Sequence, residues 1–144
     1  MYDPAMLKIA LAGLLGAVLV FAAITFVALE SSDVAIVETL RADGSTRATH
    51  VWFVEEDGVL WLEAGTPENG WYVDVLGEPR LRFRSEERDG DFVAHPLPDD
   101  RARHARLREQ LHAKYGWRDA WVSVYVDQSR SLAVRLEPLD GPGS

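Results

Sequence analysis

AGTPENGWYVDVLGEPRLRF, residues 64–83, begins as the end of a strand and passes through a loop rich in Gly, Pro and Asn. One short amphipathic helix around Trp71 and Val75 follows, and a new strand starts near Arg80. A strand, a turn-forming loop, a single short helix and another strand describe a β-fold that carries helices as inserts. They do not describe the long alternating units of a parallel α/β sheet.

The pattern continues on both sides. Toward the amino end, VAIVETL (34–40) stops at RADGST, where Asp43-Gly44 signals a hairpin, and TRATHVWFV (46–54) returns. EEDG then turns the chain into VLWLEAG (59–65), which predicts a three-strand meander. Toward the carboxyl end come RLRFRSEE (80–87), a turn at RDGD, FVAHPL (92–97) and the final strand SLAVRLEPL (131–139).

Between the last two strands, Pro98, Asp99 and Asp100 form a helix start whose carboxylates suit free amides and the helix dipole. Leu107, Leu111 and Tyr115 recur every four residues and predict a core-facing stripe, with Gly116 as the stop. His104, Arg108 and His112 form a neighbouring polar stripe, and RARHARLR (101–108) reads as a solvated helix face. Five to six strands with one main helix predict a mainly β domain, a closed or half-closed barrel with a flanking helix.

Residues 9–29, IALAGLLGAVLVFAAITFVAL, are uncharged and almost wholly apolar. As a helix they extend about 31 Å at about 1.5 Å per residue, the thickness of a bilayer core. The run is longer than the roughly 7–15 apolar residues of a cleaved signal, and it has no polar stripe of the kind a core helix needs, so it predicts a membrane anchor. Lys8 precedes it and Glu30, Asp33 and Glu38 follow it, a slight charge asymmetry that favours the amino terminus inside and the soluble domain outside. The expected organisation is an anchor at 1–30, one barrel domain at 31–140 and a tail at 141–144.

Composition narrows the function classes. A net charge of −8 offers phosphate polymers no attraction, which argues against nucleic acid as a partner. With no cysteine, the chain has no thiolate metal site and no thiol nucleophile. Its histidines lack the i, i+4 spacing of a helical metal pair, so no metal site is expected. It also has no G-x-S-x-G elbow, G-x-G-x-x-G turn or P-loop. The aromatics say more. Tyr115, Trp117, Trp121 and Tyr125 place four large rings within eleven residues, a set able to line a pocket for a flat ring.

Taken in order, TRATHVWFVEEDGVLWLEAG, PENGWYVDVLGEPRLRF, an R-x-x-x-L helix ending in KYGW, and SLAVRLEP resemble the deazaflavin-dependent nitroreductase and quinone reductase family. These are split β-barrels related to the flavin-reductase and pyridoxamine-phosphate-oxidase (PNPOx-like) barrels, and the likeness covers about residues 34–139. It implies hydride transfer from a reduced deazaflavin coenzyme of the F420 type to a quinone-like or nitro-aromatic acceptor, with no catalytic side chain required. It also implies that Arg47, Thr49, His50, Thr66, Asn69 and Trp71 line the cofactor site, and that Tyr115, Trp117 and Trp121 cover the substrate.

In the family's pattern G-R-x-S-G-x-x-R-x-x-P-L only Arg47 matches, as the second arginine, and His50 stands where proline is usual. Gly65, Pro67, Trp71 and Pro79 match the next loop, while Glu68 and Asn69 stand where a cation is expected. A carboxylate there predicts repulsion of the cofactor's anionic tail. The alternatives are a barrel holding FMN or haem, or a cofactor-free, membrane-tethered binding module or complex subunit. Related barrels pair as homodimers, and the bilayer is itself an expected partner.

Overall fold

The computed structural model describes residues 4–30, 33–124 and 126–139. Its first element is helix α1 (Pro4–Glu30), followed by β1 (Ala35–Leu40), β2 (Thr46–Val51), β3 (Phe53–Glu56) and β4 (Val59–Ala64). Then come α2 (Gly70–Gly77), β5 (Arg80–Arg84), β6 (Asp89–Leu97), α3 (Arg101–Tyr115), α4 (Trp117–Ser123), a 3-10 turn (Gln128–Arg130) and β7 (Leu132–Pro138).

Seven antiparallel strands lie in the order β2-β1-β5-β6-β7-β4-β3. The sheet therefore starts and finishes on one stretch of chain, because β2 and β3 are separated by Trp52 alone. This is a split barrel, joined at its seam by covalent bonds instead of a full hydrogen-bond ladder. The predicted meander is corrected here: TRATHVWFV divides at Trp52, its first half pairing with β1 and its second with β4. β1 takes β5 as its other neighbour. The turn predicted at RDGD lies earlier, at Ser85–Arg88, where the Ser85 amide donates to the Arg88 carbonyl at 2.7 Å.

Strand alternation sorts the side chains. On β4, Leu60, Leu62 and Ala64 point into the barrel and Val59, Trp61 and Glu63 point outward. The β3–β4 hairpin turns through Asp57 and Gly58, both with positive φ (52° and 79°), the geometry that an Asp-Gly pair supplies. Inside, Val37, Leu60, Leu62, Phe83 and Leu136 form the main core, closed at one end by Trp71, Tyr72 and Val75 of α2. Outside, α3 lays Leu107, Leu111 and Tyr115 over Val54 and Ala133, with Trp52 and Trp61 packed alongside. Asp100 caps α3 as the sequence predicts, accepting from the Arg103 amide at 2.9 Å.

Tyr115 fixes the seam. Its ring stacks on Trp52 at 4.6 Å and 14°, and its hydroxyl donates to the Asp33 carbonyl at 2.8 Å while accepting from the Phe53 amide at 3.2 Å. Burial pushes the phenol pKa from 10 up to about 12. A raised folded pKa means the stabilisation is complete below pH 10 and is lost as pH climbs to about 12. At about 1.36 kcal/mol per pKa unit, the fall comes to about 2–3 kcal/mol. Denaturant melts across that window should show it, and Tyr115→Phe should flatten the fall by that amount.

Candidate functional site

A concavity of about 350 Å³ lies beside the seam. His50, Val51 and Trp52 supply one wall from the point where the chain changes strand partner, and Gly65, Asn69 and Trp71 supply a second from the loop and α2. Val122 of α4 and Val126 just beyond it close a third side. Trp52 is held flat by Tyr115 behind it, and Trp71 is only 1 % exposed. The slot is thus walled by two fixed indoles.

A polar wall completes it. Glu63, on the outward face of β4, lies under α3 and receives Arg108 at 2.7 Å. Arg108 also donates to Asp119 of α4, whose other oxygen lies 3.1 Å from His112 Nδ1. The Ser131 hydroxyl is 2.7 Å from His104 Nε2 and donates to the Gln128 carbonyl at 2.7 Å. Glu63 Oε1 lies 3.4 Å from that same His104 nitrogen. Serine and carboxylate thus share one ring nitrogen, so the trio lacks the opposed-nitrogen geometry of a hydrolytic triad. Burial alone would lower the Arg108 pKa; Glu63 and Asp119 outweigh it and hold the guanidinium above its ordinary value.

This network corrects the solvated-face expectation for residues 101–108. Arg103 lies 3.6 Å over the Trp61 ring and pairs with Glu56 at 2.6 Å, and Arg108 is only 17 % exposed. Acidic residues on outward strand positions supply the partners. Alternation marks Glu63 as facing away from the barrel, but only the path of α3 makes that face sheltered.

Of the residues expected at the cofactor, His50, Asn69 and Trp71 line the slot. Arg47 and Thr49 are half-buried on β2, and Thr66 sits in the loop, its carbonyl accepting from the Asn69 amide at 3.1 Å. Arg47 Nε donates to Asp74 of α2 at 2.8 Å, and Asp74 also accepts from Thr39. The guanidinium lies so close to Gly70 that a Cβ built there would come 2.6 Å from Nη1. Glu68 does not stand as a free repelling charge. Arg130 reaches it from the 3-10 turn, and that hydrogen bond holds the carboxyl below its ordinary pKa.

The three residues expected over the substrate are not brought together. Tyr115 is the buried seam anchor, Trp117 is 57 % exposed, and Trp121 packs on α1. Tyr125 lies outside the described residues. Val122 and Val126, which the sequence reading did not single out, border the slot instead.

A split β-barrel with a ring-sized, indole-walled slot at its seam defines a member of the flavin-reductase and PNPOx-like class. The F420H(2)-dependent quinone reductase model matches residues 23–135, and the chain belongs to that family of oxidoreductases, whose cofactor is the deazaflavin F420. No curated protein matches the chain. Among solved structures it is similar to HutZ of Vibrio cholerae, described as a haem storage protein, with 14 % identity and a TM-score of 0.59 over 79 % of this chain and 87 % of that one. It is also similar to a conserved hypothetical protein of Mycobacterium tuberculosis, with 20 % identity and a TM-score of 0.55 over 83 % and 79 % of the two chains. An F420-H2 dependent reductase gives 20 % identity and a TM-score of 0.51, covering 73 % of this chain and 94 % of that chain.

Proposed function

We propose that this chain is a membrane-anchored reductase that passes a hydride from reduced F420 to a quinone-like acceptor. α1 would serve as the anchor and residues 31–140 as the catalytic barrel. The observation that carries this is the slot between Trp52 and Trp71, continuous with a loop and a helix start suited to an anionic tail.

The residues fit the cofactor. About 350 Å³ is enough for a fused ring system, and the lining is mostly apolar with a few polar groups at one side. Asn69 caps α2 without a side-chain hydrogen bond, so the cap leaves the first amides of α2, at the positive end of the helix, for another acceptor. Arg47 lies against that helix start with its terminal guanidinium nitrogens beside Gly70. The pairing of Glu68 with Arg130 removes the repulsion expected there.

When bound, F420 supplies the hydride; the chain supplies position and dryness. Trp52 and Trp71 hold a flat ring between them. Val122 and Val126 limit water on the open side. Glu63 and Ser131, with His104 between them, give the slot one polar wall facing an acceptor oxygen. A nitro-aromatic would fit the same slot; α1 favours the quinone, because quinones concentrate in bilayers.

The direct test is to titrate the full chain in detergent with oxidised F420, then follow loss of F420H2 on adding a quinone. Saturable binding and quinone-dependent oxidation are expected; absence of both overturns the proposal. Gly70→Ala refines it, since the new methyl group must displace Arg47 from Asp74. Parting Arg47 from the sheltered Asp74 should cost about 1–3 kcal/mol of stability, and F420 affinity should fall about tenfold to a hundredfold, the worth of one charge-assisted contact. An unchanged affinity would show that Arg47 does not touch the cofactor.

A further inference from the structure

α1 contains an apolar run, Pro4–Val27, long enough to cross a bilayer. Near its end it is not bare: Phe21 meets the Trp121 ring at 5.4 Å, and Trp121 Nε1 donates to Thr25 Oγ1 at 3.2 Å. Phe21 and Thr25 precede Val27 by six and two residues. At about 1.5 Å per residue the contact lies about 3–9 Å inside the end of the run. With α1 across a bilayer, that is the depth of the boundary between headgroups and acyl chains, where amphipathic helices lie and tryptophan concentrates.

α4 has the matching shape. Trp117, Trp121 and Val124 are spaced i, i+4, i+7 and share one side of the helix. The middle member rests on α1, and its neighbours stand open, Trp117 at 57 % and Val124 at 82 % exposure. Asp119 lies on the opposite side, buried and bound to Arg108 and His112. The polar side is therefore spent on the barrel, and the apolar side continues the surface of α1. Val126, just beyond, borders the slot.

We propose that α4 is seated in the membrane surface, with the lipid bilayer as the occupant of the Trp117–Trp121–Val124 stripe, so that the slot opens toward the lipid. The acceptor is then a lipid-dissolved, long-tailed quinone that enters beside Val126 without crossing water. The seating stands on the geometry of α1 and α4; the entry route also rests on the quinone reductase function proposed above.

The test uses the full chain in phosphatidylcholine vesicles carrying spin-labelled lipids with the label at a shallow or a deep acyl position. Shallow labels should quench tryptophan emission more than deep ones, and Trp117→Phe should reduce the quenched fraction about twofold. An unchanged quenched fraction, or iodide in the water quenching Trp117 equally in vesicles and in detergent, overturns the seating. For the route, Trp117→Glu combined with Val124→Glu should raise KM for an isoprenyl-tailed quinone in vesicles about tenfold and leave KM for a tailless quinone unchanged. An equal change for both quinones overturns the route. If the unaltered chain reduces no quinone while the depth profile holds, the proposed function falls and the seating stands.

Discussion

Trp71→Ala is expected to destabilise the barrel by about 3–5 kcal/mol, the range for deleting a fully buried indole, and to abolish saturable F420 binding. Trp71 is 1 % exposed, packs in the main core with Val75 and Phe83, and meets Tyr72 edge-on at 6.2 Å and 85°. A domain of this size holds about 5–15 kcal/mol in total, so the loss takes a large share of it. Trp71→Phe separates the two roles. It keeps an aromatic plug and should cost about 1–2 kcal/mol while still weakening the cofactor, because the smaller ring no longer reaches the slot. Denaturant unfolding and F420 titration on the same preparations decide it; equal losses in both variants would reduce Trp71 to a packing residue.

Asp119→Ala should cost about 3 kcal/mol, although it removes only a small surface helix residue by chain position. Its carboxylate is 4 % exposed and is the group through which α4 holds Arg108 and His112 of α3. Without it, Arg108 keeps Glu63 but remains sheltered with donors unmet. Amide exchange across 117–123 should accelerate together with the loss of stability, since Asp119 is the buried carboxylate that ties α4 to α3. A double variant, Arg108→Leu with Asp119→Leu, should cost less than the two single changes summed, because both act on one contact. Full additivity would show that the pair does not couple.

Much of the barrel was legible because alternation and turn chemistry agree. Leu60, Leu62 and Ala64 repeat every second residue, and Asp57-Gly58 supplies both positive φ angles of the hairpin. The break at Trp52 was not legible: a β-type residue continues the pattern locally, and only the competition between β1 and β4 for the chain divides it. Helix α4 was missed for the opposite reason. WRDAWVSVYV is rich in β-branched and aromatic residues, yet its first seven residues form a helix that meets α1 through Trp121 and buries Asp119. The loop and Trp71 were found from their resemblance to a family. Glu63, Arg108 and Ser131 escaped because their proximity arises from a helix crossing strands that are distant in sequence.

The strand order also governs how such a chain is made. β7 lies between β6 and β4 and is the last strand to leave the ribosome. Until it arrives, the facing edges of β6 and β4 are unpaired and there is no closed interior. Long-range pairing of this kind is slow, so the interval is one in which a holding chaperone has most to offer. Removing residues 132–138 would therefore leave an open sheet prone to join with others of its kind, rather than a barrel missing one stave.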